Sequence, residues 1–283
     1  MKPLTNEIEF KLQIGKKEYL LGEPVVAYMD VINSGSESVE VIKQLEPEFG
    51  IVKFFIKKQN EEKIVFRPYI VVDSLPEKVT LNSGDRISGS GKIFYGGKGW
   101  TFNSPGDYQI KATYSGLVEN PDKVIESNTA EVRIRAPSSE EEKDEVNLIM
   151  GDEQALFLLF EGGDHLSKGI NNLKQLSTKY PQSDLAGYAD IVLGTNYSKD
   201  FKDFQKGQVR KSDKEKSLKY LKEGTKKNVD AIFAKKAYFT MADIYDQTNS
   251  TDSKNETLRD FIKRFSEDEK LIKSVNKAKS MIK

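Results

Sequence analysis

The apolar residues of this chain change their spacing once, and that change limits the fold more than any single residue does. Residues 7–14 alternate strictly, with Ile8, Phe10, Leu12 and Ile14 on one side and Glu7, Glu9, Lys11 and Gln13 on the other. Period two with one apolar face predicts a strand covering a core on one side. Past residue 150 the apolar residues recur three and four apart, as in Leu166, Ile170, Leu173 and Leu176, which predicts amphipathic helix. Strands gathered first and helices afterwards predict two separate domains rather than one α/β layer structure.

In the first half, a nearly continuous apolar run over 24–32 ends at the turn composition Asn33-Ser34-Gly35-Ser36. Further strands are predicted over 39–42, 52–57, 64–72, 79–81, 87–94, 108–114 and 130–135. Short strands separated by Gly, Pro, Asn and Asp clusters predict a β-sandwich over residues 1–136. The run Tyr19-Leu20-Leu21-Gly22-Glu23-Pro24-Val25, then Val31-Ile32-Asn33-Ser34-Gly35, resembles the opening of bacterial immunoglobulin-like modules. Leu81-Asn82-Ser83-Gly84-Asp85 and Phe102-Asn103-Ser104-Pro105-Gly106-Asp107-Tyr108-Gln109-Ile110 carry the same resemblance. The pattern is similar to the domain preceding the catalytic unit of some secreted metallopeptidases. Pro105-Gly106-Asp107-Tyr108 through Val132 is also similar to the small bacterial intracellular proteinase-inhibitor domain. The resemblance implies a fold more than a function, and no inhibitory loop carries over residue by residue.

From 136 to 145 the chain reads Ala-Pro-Ser-Ser-Glu-Glu-Glu-Lys-Asp-Glu, which predicts an acidic linker over 137–147. Residues 148–283 are expected to form an all-α domain. Helices are predicted over 153–160, 164–180 with Asp164 as N-cap, and from Ser183 or Asp184 through Tyr197. A polar stretch over 198–211 follows, then helices over 213–226, 229–246, 254–265 and 268–281. At an offset of 48 residues Leu173 maps to Leu221, Ala189 to Ala237, Leu193 to Met241 and Tyr197 to Tyr245. Such self-similarity is the mark of stacked helix pairs. Leu173, Leu176, Tyr180-Pro181, Ser183, Ala186, Ala189, Leu193-Gly194 and Tyr197 together resemble a tetratricopeptide repeat, most like those of bacterial cell-envelope proteins. Gly194 has no counterpart at Ala242, and the spacing exceeds the usual one for that repeat. The resemblance implies a protein-binding surface on the helices.

Composition narrows the function. Lys plus Arg and Asp plus Glu are equal at 44 each, which removes the electrostatic argument for a nucleic-acid or anionic-membrane partner. The balance is uneven along the chain: residues 1–136 hold 18 basic and 19 acidic side chains, 137–145 hold 1 and 5, and 146–283 hold 25 and 20. There is no Cys and a single histidine, His165, so disulfides, thiolate nucleophiles and multi-imidazole metal sites are excluded. No HExxH occurs. The runs Gly89-Ser90-Gly91 and Gly96-Gly97-Lys98-Gly99 lack the spacing of a phosphate loop, so a bulged or kinked strand pair is expected there. Residues 246–257 are rich in oxygen ligands but place Thr251 and Thr257 where a calcium loop needs Gly and Glu.

No apolar run reaches the length of a membrane span, and Met1-Lys2-Pro3-Leu4-Thr5-Asn6-Glu7 has no leader-like apolar core. Two placements follow: secreted or cell envelope if a signal peptide has been removed, otherwise cytoplasmic. The single Trp100, with Tyr95 and Phe102 beside it, is the candidate partner-binding group, because loop aromatics stack on sugars or anchor proteins. The competing reading has Trp100 or Phe102 plugging the end of the sandwich core. The sequence thus predicts a multidomain chain: an all-β immunoglobulin-like sandwich, then an all-α tetratricopeptide-like helical-repeat domain. The expected function is non-enzymatic protein interaction or scaffolding, with no catalytic residues, cofactor, metal or nucleic acid. The alternatives are a proteinase inhibitor acting through a sandwich loop and a carbohydrate-binding module using Trp100.

Overall fold

The computed structural model describes residues 8–203 and 207–282. Glu7 of the first alternating run, residues 1–6 before it and residues 204–206 of the polar stretch lie outside the described residues. The chain divides into two compact units, Met1–Ala136 and Pro137–Lys283. Strands fill the first and helices dominate the second, so the molecule is mixed α and β.

The first unit contains β1 (Ile8–Ile14), β2 (Glu18–Leu20), β3 (Val26–Asn33), β4 (Val39–Ile42), β5 (Val52–Lys58), β6 (Ile64–Val65) and β7 (Lys78–Leu81). It continues with β8 (Arg86–Lys92), β9 (Tyr95–Gly96), β10 (Gly99–Trp100), β11 (Gly106–Tyr114), β12 (Ile125–Glu126) and β13 (Ala130–Arg135). One sheet has the order β1-β3-β8 and a larger one β2-β13-β11-β5-β6, with β12 also on β11. Strands β4 and β7 pair, as do β9 and β10. β2 runs parallel to β13, and the other ladders are antiparallel.

The alternation in β1 turns Ile8, Phe10 and Leu12 inward and Glu9, Lys11 and Gln13 outward. Phe10 of the smaller sheet meets Tyr114 of the larger one, with ring centroids 5.8 Å apart. Both sheets thus contribute to one core with Val26, Val31, Phe54 and Ile110, all buried. Each such side chain stabilises the fold by roughly 1.5–3 kcal/mol through its removal from water. Two polar side chains in this core are paired. The Tyr114 hydroxyl donates to Ile42 O at 2.6 Å. Asn33 donates to Glu37 O and Leu81 O and accepts from Gly35 N.

Three expectations are corrected here. The strand expected over 64–72 stops at Val65, because Pro68 has no N–H to donate and the chain leaves the sheet edge. The Gly89–Gly91 region is not bulged. Gly89 lies opposite Met29 and Gly91 opposite Ala27 in an unbroken ladder, and a Cβ at position 89 would stand 2.6 Å from the Leu45 Cβ. The short strands β2 and β12 were not expected, being too brief to show an alternating pattern, whereas β9 and β10 form a strand pair at the Gly96–Gly99 run.

The second unit contains α1 (Glu140–Ile149), α2 (Asp152–Phe160), α3 (Ser167–Lys179), α4 (Asp184–Tyr197), β14 (Phe201–Asp203) and β15 (Gln208–Arg210). After these come α5 (Lys214–Thr225), α6 (Ala231–Gln247), α7 (Thr251–Phe265) and α8 (Ile272–Met281). Each helix packs on the next from α2 onward, and α1 packs on α3, α2 on α4 and α4 on α6. α4 is covered on all sides from Leu185 to Asn196, so most of its residues are apolar or small. Gly194 shows how tight its packing is: a Cβ there would stand 2.6 Å from Leu221 Cγ on α5.

The acidic linker expected over 137–147 is helical from Glu140 onward. Ser139 caps it by accepting from Glu142 N at 3.1 Å, and Glu140, Glu141 and Glu142 face the positive end of the helix dipole. Val146 and Ile149 anchor it in the core. Asp164 does not cap α3, which starts at Ser167. Its carboxylate instead accepts from Asn196 Nδ2 at 2.8 Å and pairs with Arg210 Nε at 2.5 Å. The expected polar stretch holds the β14–β15 hairpin.

Candidate functional site

The feature of the first unit most unlike a closed surface lies between β6 and β7. Residues 66–77 read Phe-Arg-Pro-Tyr-Ile-Val-Val-Asp-Ser-Leu-Pro-Glu, and those between Phe66 and Glu77 belong to no strand or helix. Their backbone is nonetheless fixed. Phe66 N donates to Phe54 O at 3.0 Å, Gly97 N to Arg67 O at 2.9 Å and Val72 N to Glu48 O at 2.8 Å. At the far end Lys43 N donates to Glu77 O at 2.9 Å, and Glu77 N donates to Gln44 Oε1 at 3.0 Å. Phe66 is buried edge-on against Phe54, at 6.4 Å.

Between these ties the side chains face water. Tyr69, Ile70 and Val72 are exposed, Val71 is 72% exposed and Leu75 94% exposed. A contiguous apolar run held out by an ordered backbone differs from a scattered surface leucine, because it keeps a fixed apolar patch in solvent. The sequence signal was present. The residues from Ile64 to Val72 look like a strand, and the strand pattern hid the exposure.

Beside this segment stands the β9–β10 hairpin. Gly99 takes φ +88° in it, a conformation that favours glycine. A cleft of about 260 Å³ is lined by Trp100, Phe66, Arg67, Lys98, Glu61 and Asn103. Trp100 is half-buried, tilted on Phe94 at 5.6 Å and edge-on to Tyr95 at 6.0 Å. Its indole Nε1 is buried without a hydrogen-bond partner among the described residues. Tyr95 and Phe102, expected beside it as contact residues, are both buried. Phe102 packs edge-on against Tyr108 at 5.1 Å. Of the three, Trp100 alone lines the cleft. A larger open trough of about 920 Å³ lies along the outward face of β5, β11 and β13. Side chains along it pair across the strands, as where Gln109 Nε2 donates to Glu131 Oε1 at 3.1 Å.

In the second unit His165 is exposed, with its ring stacked on Phe201 at 6.2 Å. It makes no hydrogen bond to any of the described residues, and the adjacent Asp164 is turned to Arg210 and Asn196. Among the described residues no Ser–His–Asp relay is assembled around it. Among the described residues no three His, Asp or Glu side chains are gathered to hold a metal ion. No helix among them is long and apolar enough to cross a membrane. One buried carboxyl with a raised pKa is Asp190 on α4. Removal from water pushes its pKa up to about 6, against the opposing pull of the Ser177 hydroxyl and Lys227.

No protein-family model matches this chain, and no curated protein matches it. Among solved structures, a β-glucosidase from Listeria innocua in complex with glucose is similar over 45% of this chain and 16% of its own, at 16% identity and a TM-score of 0.27. The alkylpurine DNA glycosylase AlkC of Pseudomonas fluorescens, bound to DNA containing an abasic site analogue, is similar over 46% of this chain and 31% of its own, at 12% identity and 0.28. The sporulation control protein Spo0M of Bacillus subtilis is similar over 50% of this chain and 54% of its own, at 11% identity and 0.26. This chain therefore spans about half or less of each of those proteins, and similarity at these scores identifies no family.

Proposed function

We propose that this chain is a non-enzymatic interaction protein that binds a protein partner through the apolar segment 66–77. The observation that carries the reading is a run of exposed aliphatic side chains on a backbone tied at both ends and in the middle. Binding through such a segment pays little ordering entropy, because the segment is already ordered.

The finer architecture belongs to the same proposal. Residues 1–136 are read as an immunoglobulin-like sandwich. Its support is the strand order β2-β13-β11-β5-β6 facing β1-β3-β8, together with Tyr108 near the start of β11 donating back to Ser104 O at 2.8 Å. The helices of residues 148–283 are read as tetratricopeptide-like hairpins. That reading is supported by the packing of α2 on α4 and α4 on α6, and by the burial of Leu173, Leu221, Ala189 and Ala237 at matched positions. A secreted or envelope placement rests on the two sequence resemblances.

The test is affinity capture from the source cell with the full chain and with Val71→Asp/Leu75→Asp. Both side chains stand in water, so the substitutions should leave thermal unfolding within about 0.5 kcal/mol of wild type. A protein retained by the wild type and lost with the variant is the expected result. An unchanged set of retained proteins removes the segment from the account.

The same segment favours a second reading, proteinase inhibition, since an extended loop tied at both ends is what a proteinase cleft accepts. Assaying the full chain against serine and metallo-proteinases separates the two. Inhibition that Val71→Asp abolishes would replace the first reading. No inhibition across the panel discards the second.

A further inference from the structure

The 48-residue offset in the second unit carries more than core positions. Lys174 on α3 places its ammonium 6.0 Å from the ring centre of Tyr197 at the end of α4. One repeat later, Lys222 on α5 places its ammonium 5.8 Å from the ring centre of Tyr245, near the end of α6. Both members of the pair recur at the same offset. Core packing explains why Leu, Ala and Met recur, but it does not explain a recurring solvent-facing cation on a half-exposed ring.

Two more cations stand at Tyr197. The Lys216 ammonium lies 4.3 Å from its ring centre and the Arg210 guanidinium 5.4 Å. Tyr220 stacks on the same ring, nearly parallel at 5.9 Å. Arg210 is held in place by Asp164 and by Asn196 O. Lys174, Lys216 and Lys222, by contrast, pair with no carboxylate among the described residues. Tyr188 near the start of α4 meets Phe233 near the start of α6, at 5.0 Å. The two helices therefore lie start against start, and their tyrosines fall at the same end.

We propose that this end of the helices docks an acidic peptide segment of a partner protein, its carboxylates meeting Lys174, Lys216 and Lys222. Charge complementarity is the basis. Three ammonium groups are positioned by tyrosine rings, and none of them is neutralised by a carboxylate among the described residues. A single-stranded nucleic acid would also meet cations, but it needs open ring faces for base stacking, and Tyr197 is already engaged by Tyr220 and Lys216. The site is independent of the segment 66–77, so either reading can fail without the other.

The experiment measures binding of a fluorescein-labelled octaglutamate peptide to the full chain by anisotropy, at low and at raised salt. The expected result is saturable binding that weakens with salt. Lys174→Gln/Lys222→Gln should weaken it tenfold or more, Lys174→Arg/Lys222→Arg should retain it, and thermal unfolding should be unchanged. As a control, Lys57→Gln/Lys111→Gln on the first unit should have no effect. The proposal is overturned by no saturable binding, by an unchanged affinity in the glutamine pair, or by an equal loss in the control pair. Tighter binding of an oligothymidylate of equal charge would overturn it in favour of nucleic acid.

Discussion

At the scale of single residues, Asp190 links burial to a measurable pH dependence. Its pKa rises from 3.8 to about 6 because the carboxyl is removed from water, and Ser177 Oγ donates to it at 2.5 Å. A carboxyl whose folded pKa lies above its unfolded value holds its proton more tightly when folded. Its contribution to stability is therefore fully present below the unfolded value and is lost as pH rises through about 6. Asp190→Asn stays neutral at every pH and keeps an acceptor for Ser177. Relative to wild type it should gain stability on the order of 3 kcal/mol at alkaline pH, and the gain should vanish toward acid pH. Urea unfolding of both proteins across that range checks this, and a pH-independent difference would show that Asp190 stays ionised in the fold.

At the scale of elements, α1 and α4 respond to different substitutions. Ser139→Ala removes the hydroxyl that accepts from Glu142 N and should cost about 1 kcal/mol, read as a lower denaturation midpoint. Gly194→Leu drives a side chain into the space of Leu221. It should cost about 1–3 kcal/mol, lowering Tm by about 2–4 °C per kcal/mol for a unit of this size. An unchanged Tm would mean that α5 can move away from α4. These two helices also show what the sequence made legible. The capping serine and apolar anchors of α1 were present, but Val146 and Ile149 were too few to stand out against five acids within 140–145. In α4 the small residues were visible, whereas the reason for Gly194 lies 27 positions away, at Leu221. Strands with clean alternation, such as β1 and β11, were legible because one face meets the core and the other meets water. The segment after Val65 was misread because its apolar residues serve no core. Composition singles out the lone Trp100, whereas the burial of Tyr95 and Phe102 depends on contacts from distant strands.

At the scale of the whole molecule, equal totals of 44 basic and 44 acidic side chains conceal local differences. The acids of 140–145 belong to the start of a helix, where they are stabilising, while three lysines at the tyrosine-bearing end of α4 and α6 are left without carboxylate partners among the described residues. The segment 66–77 offers an exposed aliphatic contact surface on the other unit. Each unit thus presents a surface of its own chemistry. The central claim is that the segment 66–77 is a contact surface. Its most direct test installs a photo-crosslinking residue at Leu75 and, in a second protein, at Lys57 on the outward face of β5, with irradiation in the source cell. The account predicts a discrete protein adduct from position 75 and none from position 57. No adduct from position 75, or the same adducts from both positions, would contradict it.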